Sequence, residues 1–302
     1  MENKIMLITG ATSGIGKEAA KTLTKQGHTV IIHGRNISKT EATVQELKKV
    51  TGSNKIEMLI ADLESFADIK RMADGFKEKY NHLDVLINNA GNQYGGTWEA
   101  TKEGHEKTMM VNAFAPFLLT HLLLEPLSKS SEGRVITVSS ASHDQGGAPI
   151  MDDIELKNNY SYMKAYGVSK LYTNWIIRHF PKYCQENGIK NITFNTVHPG
   201  SAKTNLGNTG NRPSAMKIMF FLWRPMMTSV EKGAAPTIFA ATSPEMKGKN
   251  DCYIGPKGFE KAAERYYTEE NEQILWDYCM KITEPYMEKQ TERSEERRVG
   301  KE

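Results

Sequence analysis

"IMLITGATSGIGKEAAKTLTKQ", Ile5–Gln26, decides the fold of this chain. It opens on four consecutive apolar residues, passes through a turn with three glycines, and continues with apolar residues at helical spacing. A strand apolar on both faces belongs inside a parallel sheet covered on both sides. In the turn, "TGATSGIGK" (Thr9–Lys17), Gly10, Gly14 and Gly16 follow the spacing G-x-x-x-G-x-G. Glycine allows the tight turn and lets the backbone approach a pyrophosphate, whose charge meets the free N–H groups of the helix start. Many strand-to-helix turns need glycine, so the weight of this one comes from the pattern of the segments beyond it.

The same rhythm continues for two hundred residues. "TVIIH" (Thr29–His33) precedes a helix near Ser38–Val50, with Ser38 expected as its N-cap. "IEMLIA" (Ile56–Ala61) precedes a helix near Phe66–Tyr80, and "LDVLIN" (Leu83–Asn88) a long one over Lys102–Leu127. "RVITVSS" (Arg134–Ser140) precedes Tyr162–Asn187, and "ITFNTVH" (Ile192–His198) closes the series. Strand-sized runs separated by helices predict right-handed β-α-β units: an α/β fold of Rossmann type, a doubly wound parallel sheet with helices on both faces. After Gly200 the expectation is a loop, a Met- and Phe-rich segment, a helix near Ser229–Ala241, a short strand around Cys252–Ile254 and a helix over Glu269–Ile282. One domain, residues 1–283, is expected, with residues 205–228 as a small substrate lid. The charged tail 284–302 is expected to be disordered, and its last residues read as a non-native extension.

Bulk properties narrow the function. The 302 residues carry a net charge of only +3, which argues against nucleic acid as a partner. Three cysteines at wide spacing give neither a disulfide framework nor a zinc site, which fits a reducing cytoplasm. No apolar run approaches the roughly 20 residues of a membrane span, and no signal peptide is visible.

Several motifs together resemble the short-chain dehydrogenase/reductase family of the classical type, over about the first 205 residues. T-G-x-x-x-G-x-G matches Thr9–Gly16, "NNAG" is Asn88–Gly91, Y-x-x-x-K is Tyr166-Gly-Val-Ser-Lys170, and P-G-x-x-x-T is Pro199, Gly200 and Thr204. The resemblance implies a nicotinamide cofactor held by Gly10, Thr12, Ser13, Gly14, Ile15 and Gly16. It adds Asp62 and Leu63 at the adenine, Asn89, Ala90 and Gly91 along the cleft, and Pro199, Gly200 and Thr204 at the carboxamide. Asp62 also reads as a helix N-cap. At the end of the second strand, "HGRN" puts Gly34 where an NAD-binding carboxylate is expected, and Arg35 comes next. A guanidinium matches a 2′-phosphate in fork geometry, so NADP(H) is favoured over NAD(H), although Arg35 also reads as a plain surface residue.

By the same resemblance the catalytic set is Asn112, Ser140, Tyr166 and Lys170. Tyr166 moves the proton, and Lys170, one helical turn on, is expected to bring its ammonium near the phenol and lower its pKa. Tyr162 has no lysine four residues on and reads as a substrate-side or packing residue. Strand alignment favours Ser140 over Ser139, and the loop Ser142–Tyr160 carries an insertion expected at the substrate mouth. Asn112 is expected to hold a relay water, and Pro116 to kink the helix beside it. "EGHEKTMMVNAFAPFLLTHLLLEPL" (Glu103–Leu127) and "GRVITVSSASH" look most like the retinol dehydrogenase-like subgroup. That implies interconversion of a lipophilic aldehyde or ketone and its alcohol. The partners expected are this small molecule, a possible second copy of the chain, and at most weak peripheral membrane contact through the stripe Met216, Met219, Phe220 and Trp223. Two other readings stay open: a catalytically silent NADP-binding regulator, and a nucleotide-sugar epimerase or dehydratase.

Overall fold

Eight strands form one sheet in the order β3-β2-β1-β4-β5-β6-β7-β8. The structure, a computed structural model, describes residues 3–201 and 228–287. The strands are β1 Ile5–Ile8, β2 Thr29–Gly34, β3 Ile56–Ile60, β4 Val85–Asn88, β5 Gly133–Val138, β6 Ile192–Val197, β7 Tyr253–Gly255 and β8 Gly258–Glu260. All pairings are parallel except that of β7 with β8. Strand order reverses at β1, which lies between β2 and β4 with Met6 opposite Val30 on one side and Val85 on the other. A crevice opens at such a reversal, beyond the C-terminal strand ends.

The strands' period-two alternation fills two cores. Leu7 and Ile31 join the cluster under α3 (Phe66–Lys79), α7 (Tyr162–Glu186) and α9 (Glu269–Thr283), with Phe76, Phe117, Phe180 and Trp276. Met6, Ile8, Val30 and Ile32 join the cluster under α1 (Gly14–Lys25), α2 (Ile37–Thr51) and α8 (Val230–Thr242), with Ala19, Leu23, Leu47 and Ala240. Burial on both faces is why the strands read as unbroken apolar runs.

Three expectations are corrected, and one strand was not foreseen. The cap of α2 is Asn36, whose side chain accepts from the Lys39 N–H at 2.8 Å, not Ser38. The long helix begins at Lys107 and is broken: α4 Lys107–Met109, a π turn Met110–Phe114, α5 Ala115–Leu122 and α6 Leu124–Ser128. The hairpin strand β8 has too few apolar residues to announce itself. Residues Glu284–Tyr286 form a 3₁₀ turn that packs Tyr286 on Phe66, ring centroids 5.4 Å apart, so order extends past residue 283. Thr204, the apolar stripe Met216–Trp223, nearly all of the lid 205–228 and the end of the tail lie outside the described residues.

Candidate active site

The glycine loop is shaped by contacts from β2 and β4. Gly10 and Gly14 have φ of +63° and +56°, left-handed values that favour glycine. A Cβ on Gly10 would stand 2.9 Å from the Ala90 Cα, and one on Gly16 would strike the Asn89 amide and lie 2.8 Å from the Gly10 carbonyl. The Asn89 amide donates to the Thr9 carbonyl at 2.9 Å, and the Thr9 hydroxyl accepts from the Asn89 and Ala90 N–H groups at 3.0 and 2.9 Å. Asn89 therefore acts on the loop itself. Ser13 caps α1 in extended conformation with no side-chain cap bond, so no side chain of its own covers the first N–H groups. Ile15 packs against Ala234 of α8, leaving only its backbone at the loop. A bare, glycine-lined helix start of this kind fits the pyrophosphate of a dinucleotide.

His33 was not foreseen. Its Nδ1 accepts from the Gly10 N–H at 3.2 Å, so the proton sits on Nε2 and is donated to the Ala61 carbonyl at 3.1 Å. One ring ties the glycine loop to the end of β3. The signal was the lone polar residue ending "TVIIH". Burial holds His33 below the usual pKa of 6.5 although the Ala61 carbonyl and Asp62 oppose it. A lowered histidine pKa gives stability that is full above the unfolded value and lost as pH falls through the folded one. Melting temperature should therefore fall as pH drops below about 6.5. His28 and His143, also lowered by burial, add to that slope. His33→Gln should melt lower at pH 7.5 and lose part of the slope; an unchanged slope by calorimetry would assign it to the other histidines.

At the end of β2, a Cβ on Gly34 would strike the Thr40 hydroxyl and lie 2.6 Å from the Thr12 methyl. Any side chain, a carboxylate included, is excluded unless those threonines move. Arg35 is exposed and lies 3.7 Å from Glu64, which also accepts from the Tyr94 hydroxyl at 2.6 Å. Asp62 accepts from the Glu64 N–H at 3.0 Å and closes a turn; the cap of α3 is Ser65, so the capping reading of Asp62 is set aside. Leu63 is buried beside it.

Ser140, Tyr166 and Lys170 come together where β5 ends against α7. Ser140 caps a 3₁₀ turn, Ala141–Asp144, its hydroxyl accepting from the Ser142 N–H at 3.1 Å. That bond occupies a lone pair and leaves the hydroxyl proton to donate. Ser140 stands close enough to Tyr166 to lower the phenol's pKa, while burial raises it more strongly. The Ser139 hydroxyl instead donates to the Lys170 carbonyl at 3.2 Å, joining the strand end to α7. The Lys170 ammonium donates to the Val138 carbonyl at 2.8 Å, and burial pushes it down to about 8. Burial and Ser140 are the influences on Tyr166, and the sunken Lys170 ammonium takes a strand-end carbonyl as its partner. Two glycines set the spacing of the loop from α7. A Cβ on Gly167 would lie 2.6 Å from the Gly146 Cα and 2.9 Å from the Ser142 carbonyl, and one on Gly146 would lie 2.6 Å from the Val168 nitrogen. Tyr162, half-buried, sits at the first position of α7.

Asn112 lies in the π turn, where the Ala115 N–H reaches back five residues to the Met110 carbonyl. Pro116 has no N–H to offer the Asn112 carbonyl in an α pattern. The Thr173 hydroxyl meets that carbonyl instead, at 3.0 Å. The Asn112 side chain accepts from the Asn92 N–H at 2.8 Å and donates to the Asn92 carbonyl and the Ser169 hydroxyl, both at 2.9 Å. A Cβ on Gly91 would stand 3.2 Å from both the Asn112 Oδ1 and the Lys170 Nζ, so glycine there opens the cleft to the two. The insertion is only partly at the surface: Ile154–Leu156 is buried, and Glu155 bonds His105 at 3.0 Å, the Glu106 N–H and the Tyr278 hydroxyl. Pro199 and Gly200 follow β6, with Gly200 at φ +64° against Pro256. Among the described residues no group of acidic, His or Cys side chains is placed to hold a metal, and no helix is long and apolar enough to cross a membrane.

Comparison with known proteins agrees with this geometry. The short chain dehydrogenase family model matches residues 4–214. Polyprenol dehydrogenase of Homo sapiens is 33% identical over 285 residues, covering 93% of this chain and 85% of that protein. Retinol dehydrogenase 14 of Homo sapiens is 32% identical over 292 residues, covering 92% and 85%. Among solved structures, an uncharacterized protein from Mycobacterium paratuberculosis has a TM-score of 0.73 at 27% identity, covering 93% of each chain.

Proposed function

The chain belongs to the short-chain dehydrogenase family, in its retinol dehydrogenase-like part, and from that premise we propose that it is an NADP(H)-dependent oxidoreductase interconverting a lipophilic aldehyde or ketone and its alcohol. The membership itself makes it an NAD(P)-dependent dehydrogenase/reductase. The observation that supports the finer reading is Ser140 beside Tyr166, with Lys170 one turn along the same helix.

When bound, the nicotinamide ring supplies or accepts the hydride; the residues of this chain manage the proton. Tyr166 is placed to donate its phenolic proton to a carbonyl oxygen, and burial raises its pKa. Ser140, its lone pair occupied by the Ser142 N–H, donates to the same oxygen and fixes its place. The Lys170 ammonium and the Asn112 Oδ1, both 3.2 Å from where a Gly91 Cβ would stand, are the pair placed to pass a replacement proton in from solvent through water. Two relatives are named for polyprenol and retinol, long apolar alcohols, which supports a lipophilic substrate. The three free cysteines are in keeping with a reducing, cytoplasmic setting.

NADPH oxidation with aldehydes and ketones of increasing apolar length tests this. Turnover rising with chain length is expected; a preference for small polar carbonyls, or no turnover of any, overturns it. Cofactor choice has its own test. A charge-assisted contact to phosphate contributes roughly 1.5–3 kcal/mol, so Arg35→Ala should weaken NADPH about tenfold or more and NADH little. Equal losses for both in titration would remove Arg35 from the 2′-phosphate site.

A further inference from the structure

Behind Ser140 lies a buried polar cluster that the proton chemistry does not use. His143, within the 3₁₀ turn, is 5% exposed. Its Nε2 accepts from the Ala263 N–H at 2.8 Å, so that nitrogen carries no proton. Nδ1 therefore carries it and donates to the Ser140 carbonyl at 2.7 Å. The same carbonyl also accepts from the His143 N–H at 3.1 Å, which engages both of its lone pairs. The Tyr253 hydroxyl lies 3.3 Å from Nδ1, the Tyr253 ring stacks on His198 at 4.9 Å, and the His198 Nε2 meets Glu260 at 3.1 Å. Strands β7 and β8 and the chain after them thus dock on the back of the catalytic loop through one imidazole.

We propose that His143 is a positioning residue: it fixes the peptide plane of Ser140, hence the direction of the Ser140 hydroxyl toward Tyr166 and the substrate oxygen, and ties that plane through Ala263 to the segment after β8. The geometry is specific to an imidazole. Its two nitrogens, one donor and one acceptor, bridge a carbonyl and an N–H that lie far apart in the sequence. A residue that only filled space would not need both bonds. The proposal rests on the assignment of Ser140 and Tyr166 to the reaction.

The test compares His143→Phe, which keeps a ring and loses both bonds, with His143→Asn, whose amide N–H can replace Nδ1–H. The tyrosine 13Cζ NMR resonance of Tyr166, identified by its loss in Tyr166→Phe, reports the Ser140 contact without turnover. It should shift in Ser140→Ala, shift the same way in His143→Phe, and stay in place in His143→Asn. In turnover, a small misplacement of a reacting group costs on the order of 10²-fold. His143→Phe should therefore lose about 10–100-fold in kcat at unchanged NADPH affinity, and His143→Asn only a few-fold. The proposal is overturned if the Tyr166 resonance is unmoved in His143→Phe, or if both variants shift and slow alike. Wild-type protein that turned over no carbonyl would refute the reaction, while the resonance would still decide the role of His143.

Discussion

Tyr166→Phe is expected to lower turnover by about 10²–10⁴-fold with NADPH affinity unchanged. The substitution removes one oxygen from a side chain that is 8% exposed, and the ring that packs stays. What goes is the hydroxyl beside Ser140 that would donate the proton. Ser140 keeps its bond from Ser142, so the loop should hold its shape and the protein its melting temperature. The control is Tyr162→Phe, four residues earlier on the same face, which should keep most of the activity. Stopped-flow or steady-state NADPH oxidation reads both. If Tyr162→Phe were the dead variant, the two tyrosines would have to exchange roles.

The second large effect comes from a single methyl group. Gly167→Ala puts a Cβ 2.6 Å from the Gly146 Cα, and the atoms it meets are backbone, which cannot swing aside as a side-chain end can. Overpacking of this kind costs about 1–3 kcal/mol. The larger loss should be in catalysis, because relief requires the loop carrying Ser140 to back away from the helix carrying Tyr166. A displacement near 1 Å lowers rate about 10²-fold. Gly146→Ala, pressing on the same seam from the loop side, should behave alike. Thermal melts and kcat measured together decide it: a variant that melts lower but turns over at the wild-type rate would show that the seam matters to packing alone.

Much of the fold was legible because the strands are buried on both faces, and a run such as Ile5–Ile8 has no other good reading. The broken helix was not legible in full. Pro116 announced a disturbance, but that it would be a π turn answered by the Thr173 hydroxyl depends on a residue from another helix. The site divides the same way. The missing carboxylate at position 34 could be read from one letter, whereas its cause, the side chains of Thr12 and Thr40, needed coordinates. Tyr166 and Lys170 were named on the family's Y-x-x-x-K pattern, whereas the partner of Lys170, the Val138 carbonyl, could not be, since backbone acceptors leave no trace in a sequence. His33 and His143 were missed for the same reason, since each acts by bonding main-chain groups remote in the chain.

The reversal of strand order at β1 also has a consequence for how the chain is made. β1 is synthesised before β2, which arrives soon after to pair with one side of it. Its other side waits for β4, which cannot appear until everything from Arg35 to Asn88 has been synthesised. At about 5–20 residues per second that interval is several seconds, during which Met6, Leu7 and Ile8 present an unpaired apolar strand edge to the cell. The sheet centre that later frames the crevice is thus, early in its life, an open edge of the kind chaperones cover.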